Sequence, residues 1–228
     1  RKQLETISVN NNSTTYKWIS DKSLTLNQGK TVILRAIRDV TNSFANANYK
    51  HYFTFTGTGN VQCSGNLAYL INQGDTHLGG DYCLKGLFED CTKLISAPEV
   101  PANWNNGAVG AHCYENLFKG CTGLTTAPSI PEHTEIASFK GMFMGCVNLE
   151  NNIPTELKDG WGLKESCYES MFEGCKKMRT VPKLTNQQPA KACYKSMFKG
   201  CELLQLPADY TFAASYSAES CFESMFED

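Results

Sequence analysis

Residues 167–175 read C-Y-E-S-M-F-E-G-C. Two cysteines eight apart are compatible with a metal clamp, a redox pair, a disulfide loop or a packing motif, and the choice among these decides the fold. The rest of the chain supplies the context. Cys83–Cys91 is C-L-K-G-L-F-E-D-C, Cys113–Cys121 is C-Y-E-N-L-F-K-G-C, Ser138–Cys146 is S-F-K-G-M-F-M-G-C and Cys193–Cys201 is C-Y-K-S-M-F-K-G-C. A further copy, C-F-E-S-M-F-E-D, occupies Cys221–Asp228. Starts at 83, 113, 138, 167, 193 and 221 are 25 to 30 residues apart. A period of that length belongs to stacked-repeat architectures, in which no single unit can bury its own apolar face.

A second shared pattern follows each second cysteine: C-T-K-L-I-S-A-P from Cys91, C-T-G-L-T-T-A-P from Cys121, C-K-K-M-R-T-V-P from Cys175 and C-E-L-L-Q-L-P from Cys201. From Cys146 it is C-V-N-L-E-N-N-I-P, one residue longer before the proline. In the first half of each copy, apolar residues at i, i+1, i+4 and i+5 predict one face of a short helix. Gly120, Gly145, Gly174 and Gly200 suit the left-handed turn that ends one. In the second half, a proline-terminated apolar segment predicts a short strand. The expected fold class is therefore α/β: a leucine-rich-repeat solenoid with a short helix and a short strand per coil.

These motifs carry a family resemblance. F-x-G-C-x-x-L with a proline-punctuated continuation resembles the BspA-type (Treponema-type) leucine-rich repeats, and C-Y-x-x-M-F-x-G-C-x-x-L-x-x-A-P-x-L-P is similar to the variant in surface proteins of gut Bacteroidetes. The resemblance spans residues 83–228, and Phe53–Ile71 is similar to the segment that leads into such repeats. It implies a curved solenoid, export to the cell surface, and recognition of host or environmental macromolecules without catalysis.

The cysteines then favour packing over bonding. A disulfide needs Cα atoms within about 7 Å, whereas a mostly helical nine-residue segment holds its ends roughly 9–12 Å apart. In the third copy Ser138 replaces the first cysteine while Cys146 remains, which an obligate bridge would not permit. The four histidines keep no regular relation to the repeat, so a repeated zinc site is not indicated, and no C-x-x-C is present. Two ladders of buried thiols are the preferred reading of ten of the eleven cysteines, with Cys63 buried in a preceding coil. Disulfides in some copies and a metal stay open as lesser alternatives.

The remaining composition bounds the function. The 228 residues carry a net charge of −2 with interspersed signs, which offers no basic stripe for nucleic acid. No apolar run is long enough to cross a bilayer. The chain opens without the apolar core of a signal peptide, so either the protein is cytosolic or an export signal has been removed; the resemblance implies the second, an extracellular or cell-surface location. Residues 1–58 lack the repeat. Short apolar or alternating segments at Leu4–Val9, Thr15–Ile19, Ser23–Leu26, Thr31–Ile37 and His51–Phe55 predict a small antiparallel β domain. Residues 59–228 form the expected solenoid, in which 59–82 make a transitional coil capped by Leu67, Leu70 and Ile71.

No nucleophile motif, zinc-protease motif, phosphate loop or repeated carboxylate pair is present. The chain is read as a non-enzyme without cofactor or metal. Its candidate ligand-binding residues are those that differ between copies: Glu99, Thr126, Arg179 and Lys183 on the strand side, and Trp104 and Trp161 on insertions that emerge along one edge. The competing reading of both tryptophans is that they fold back over their own coils; Trp18, in an expected strand, reads as core. The expected function is adhesion to, or recognition of, a protein or carbohydrate. The alternative is a structural spacer or assembly segment of a longer repeat protein, with no ligand of its own.

Overall fold

A computed structural model describes residues 4–10, 13–19, 32–36, 52–70, 80–101, 110–132, 134–157, 162–186, 188–211 and 218–228, the first three ranges as backbone. Strands β1 (Leu4–Asn10), β2 (Ser13–Ile19) and β3 (Val32–Ala36) form an antiparallel sheet in the order β2-β1-β3. Leu4 of β1 stands opposite Ile19 of β2 on one side and Ala36 of β3 on the other. The expected strand at Ser23–Leu26, and Ile71, lie outside the described residues.

From residue 80 onward the repeated motif builds the described structure, and among the described residues it does so without α-helices. The short helix expected in each copy is corrected by the backbone: the one helical element among the described residues is a 3₁₀ turn at Leu67–Leu70. Within the first copy, Lys85 N–H donates to the carbonyl of Tyr82, Leu87 to Leu84, Glu89 to Gly86 and Cys91 to Phe88. These are overlapping four-residue turns. The intervening amides leave the copy altogether: Tyr82, Leu84, Gly86, Phe88 and Asp90 donate to Ala111, Cys113, Glu115, Leu117 and Lys119 of the next copy at 2.7–2.9 Å. The same five-bond junction recurs at every step to the copy at 218–228, for example Phe143 to Met171 at 2.9 Å and Phe172 to Met197 at 3.0 Å.

The turns need a left-handed residue at every fourth position. Gly86, Asn116, Gly141, Ser170, Ser196 and Ser224 have φ between 51° and 60°. Each is the third residue of its turn, where a type II turn requires positive φ. Repeating every four residues rather than every 3.6, the turns present two residues inward and two outward, and the C-Y/M-F pairs fall on the inner side. Cys113, Tyr114, Leu117 and Phe118 are buried while Glu115, Asn116, Lys119 and Gly120 are half-buried.

Residue-for-residue stacking turns these inner positions into columns. Rings of Phe88, Phe118, Phe143, Phe172, Phe198 and Phe226 follow one another with centroids 5.5–6.0 Å apart. A second column runs Tyr114, Phe139, Tyr168, Tyr194, Phe222 at 5.3–6.0 Å. Each such pair adds about 0.5–1.5 kcal/mol beyond its area. Tyr52–Phe55, read from the sequence as part of a strand, instead supplies a preceding rung. Phe53 donates its N–H to the Leu87 carbonyl, accepts the Cys91 thiol at 3.1 Å and places its ring 5.3 Å from Phe88.

The strand halves pair in parallel. β4 (Val61–Gln62) lies beside β5 (Leu94–Ser96), and β6 (Glu156–Leu157) beside β7 (Lys183–Leu184). Single parallel bridges join Asn66 to Glu99, Thr126 to Asn151 and Thr180 to Gln205. Leu67 and Leu70 are buried in the same apolar core as the cysteines and aromatic columns.

Substitutions at the central positive-φ position discriminate these turns from a helix by sign. Gly141 has φ 60° and its added Cβ would meet the Asn116 carboxamide oxygen, so Gly141→Ala is expected to destabilise by about 1–2 kcal/mol. In a helix interior it would stabilise by about 1 kcal/mol. Ser170→Gly is expected to be neutral or to stabilise by up to about 1 kcal/mol. Denaturant unfolding of both variants measures the signs.

Candidate functional site

Each buried Leu124, Leu149 or Met178 anchors the start of a strand segment, and the residues that follow it turn outward. Thr125 and Thr126, Glu150 and Asn151, Arg179 and Thr180, and Gln205 and Leu206 are exposed. Backbone bonds hold neighbouring segments in register: Asn151 N–H to the Thr125 carbonyl at 3.0 Å, and Gln205 N–H to the Arg179 carbonyl at 2.9 Å. Thr126 is therefore juxtaposed with Asn151, and Thr180 with Gln205.

The sequence-derived candidates are distributed along this surface rather than gathered at one point. Glu99 is exposed, but its bridge is to Asn66 of the preceding coil. Lys183 is exposed in β7 and paired in register with Glu156. Arg179 and Lys183 belong to one copy and Thr126 to another two copies earlier, so at about 4.8 Å per copy they span roughly 10 Å. Trp104 and Trp161 lie outside the described residues, as does the Trp18 side chain.

The turn-side surface carries a pattern that the candidate list missed. Outward positions alternate in sign from copy to copy, and the charges pair across junctions: Lys85 with Glu115 at 2.9 Å, Lys140 with Glu169 at 2.9 Å and Lys195 with Glu223 at 2.6 Å. Parallel rows add Lys119–Glu89, Lys191–Glu219 and Lys199–Glu227. Glu223 and Glu227 are held below the usual carboxylate range, first by hydrogen bonds from Lys195 and Lys199 and also by the hydroxyls of Ser220 and Ser224. The signal was in the sequence as the third letter of each motif, K, E, K, E, K, E at 85, 115, 140, 169, 195 and 223. Solvent screens exposed pairs of this kind, so each adds little to stability.

The cysteines sit deep. All eleven are free thiols and ten are buried. The second-column thiols donate to phenylalanine carbonyls of the preceding rung: Cys121 to Phe88, Cys146 to Phe118, Cys175 to Phe143 and Cys201 to Phe172, at 3.1–3.2 Å. Burial pushes the thiols of Cys91 and Cys201 up to about 12 and that of Cys63 up to about 11. Groups so disfavoured as thiolates are poor nucleophiles and poor metal ligands. A cleft of about 240 Å³ lined by Tyr52, Phe53, Thr54, Glu89 and Asp90 falls below the ~300–1,000 Å³ of ordinary small-molecule pockets. No group of three His, Cys, Asp or Glu is placed to hold a metal among the described residues.

Comparison with protein-family models, curated proteins and solved structures finds no match to this chain.

Alkylation of the native protein tests the thiol environment. A thiol group reacts as its thiolate, so the Cys63 rate is expected to rise about tenfold per pH unit up to about pH 11. A plateau near pH 9 would contradict the burial.

Proposed function

We propose that the chain is a non-catalytic recognition or adhesion module at the cell surface, a leucine-rich-repeat solenoid that binds a protein or glycan through its strand-side face. The observation that carries this reading is the parallel register of the strand segments. It sets non-repeating, exposed side chains of consecutive copies next to one another while the repeating residues are consumed by the core. Thr125, Thr126, Glu150, Asn151, Arg179, Thr180 and Gln205 are free to vary without touching a column, which is how repeat proteins acquire extended binding surfaces. The motif resemblance to BspA-type surface proteins points the same way and is the basis for the proposed export. The buried, protonated thiols and the absence of a catalytic motif in the sequence favour binding over chemistry.

A structural spacer is the second reading. It is favoured by the turn-side ion pairs, which fasten one copy to its neighbour at three of the junctions.

The two readings separate on arrays of glycans and of extracellular proteins. The recognition reading expects at least one binder whose affinity falls about tenfold or more in Arg179→Glu or Thr126→Arg proteins of unchanged stability. Binding that survives these changes, together with Glu99→Ala, Lys183→Glu, Trp104→Ala and Trp161→Ala, would remove the proposed surfaces. An empty array would favour the spacer.

A further inference from the structure

The cations of the repeats are used in two ways. On the turn side, lysines face glutamates of an adjacent copy, as Lys85 does Glu115, Lys140 does Glu169 and Lys195 does Glu223. In the strand-side half of the copy at 162–186 they do not. Lys177, Arg179 and Lys183 are exposed, between the buried Met178, Pro182 and Leu184. Among the described residues, no carboxylate stands within ion-pair distance of these three side chains.

Their main chain is fixed from both flanks. Lys177 N–H donates to the Val147 carbonyl at 3.2 Å and Lys183 N–H to the Thr155 carbonyl at 2.9 Å, both in the preceding copy. In the following copy, Gln205 N–H donates to the Arg179 carbonyl at 2.9 Å. The exposure of these side chains therefore belongs to the face and not to an uncovered edge. At about 3.3 Å per extended residue, the three cations are spaced along the segment by up to about 7 and 13 Å. Charges already held in register lose less freedom when a ligand docks on them.

The surroundings define the ligand. Glu150, exposed, and Glu156, half-buried and in register with Lys183, border the row from the preceding copy, so the face is only weakly positive. Densely charged polyanions draw on an uninterrupted basic surface. Singly charged carboxylates spaced along a chain match separate cations instead, and the planar fork of Arg179 can take one of them bidentately. A protein partner would be held by buried aromatic or aliphatic anchors, whereas the exposed neighbours Thr155, Thr180 and Thr185 offer hydroxyls suited to those of a sugar. We propose that Lys177, Arg179 and Lys183 form a binding row for a polyuronate, a polysaccharide with a carboxylate on each sugar. This rests on the strand-side reading above and narrows it to one ligand class.

Calorimetric titration of the native chain with oligogalacturonate of defined length tests the row, with the fully methyl-esterified oligomer, heparin and poly-glutamate as comparators. The acid form is expected to bind, and to weaken at least about tenfold on esterification or as salt is raised, because both remove the same attraction. Arg179→Gln is expected to weaken it by about tenfold or more, and Lys177→Gln and Lys183→Gln by about threefold to tenfold each. Lys140→Gln, on the turn side, is expected to bind as the unsubstituted chain does. No binding of the acid form, equal binding of its ester, tighter binding of heparin or poly-glutamate, or indifference to the three substitutions would overturn the proposal. An Arg179-dependent ligand of another class would overturn it and leave the strand-side face standing as a recognition surface. Array ligands that no strand-side substitution affects would remove both. The ester and salt comparisons use the unsubstituted chain, so they decide the matter if a variant fails to fold.

Discussion

Every other feature of the repeats depends on amides that alternate between two destinations. One amide closes a four-residue turn within its own copy, and the next crosses to the carbonyl of the following copy. Five crossing bonds at each junction admit only one register, so equivalent residues must stack. From that follow the phenylalanine column, the tyrosine-phenylalanine column and the charged rows. The crossing bonds also hold the backbone in the left-handed conformations that serine, alanine, asparagine and histidine adopt here at a cost of about 1–2 kcal/mol each. A single copy would have neither the partner carbonyls nor the covered aromatic faces, which is why the unit of folding is the stack.

The choice of cysteine becomes intelligible within this frame. Inner positions are shared by adjacent copies at strand-like spacing, so they admit compact side chains. The second-column thiol lies against a carbonyl that already accepts one amide, as Phe118 accepts both Cys121 N–H and the Cys146 thiol. A weak donor uses that second lone pair without the desolvation penalty of a stronger polar group. Ser138, fully buried, meets the same demand differently: its hydroxyl accepts the Glu135 amide at 3.1 Å.

Much of this organisation was legible in the sequence. The copies, their boundaries, the two cysteine columns and the outward residues after each leucine could be read directly from the spacing. The helix was misread for a definable reason. Residues at i, i+1, i+4 and i+5 drift by only 40° per four residues on a helix of 3.6 per turn, and nine residues cover little more than two such steps. The drift stays inside the roughly 100° apolar stripe of an amphipathic helix, so the pattern fits both periods. The discriminating signal was the central column of Gly86, Asn116, Gly141, Ser170, Ser196 and Ser224, rich in residues that tolerate positive φ and poor in helix formers. Only the last of three such columns, Gly120 to Gly200, was read, because a helix end explains it equally well. The rung at Phe53 was hidden because a single copy of F-T-F-T resembles any alternating strand. The charged rows show only when the third letters of successive copies are compared, because pairing between copies leaves no mark within one.

On the candidate surface, the sequence separated what repeats from what varies, and the backbone register then showed which variable residues become neighbours. Thr126 beside Asn151, or Thr180 beside Gln205, cannot be paired from spacing when the steps themselves range from 25 to 30 residues. The most direct test of the crossing ladder is a scalar coupling carried through a hydrogen bond, measured by NMR on isotope-labelled chain. The coupling from the Phe143 amide nitrogen is predicted to reach the Met171 carbonyl carbon, its acceptor at 2.9 Å in the next copy. A coupling to the carbonyl of Phe139, four residues back in the same copy, would mean a helix and would contradict the account.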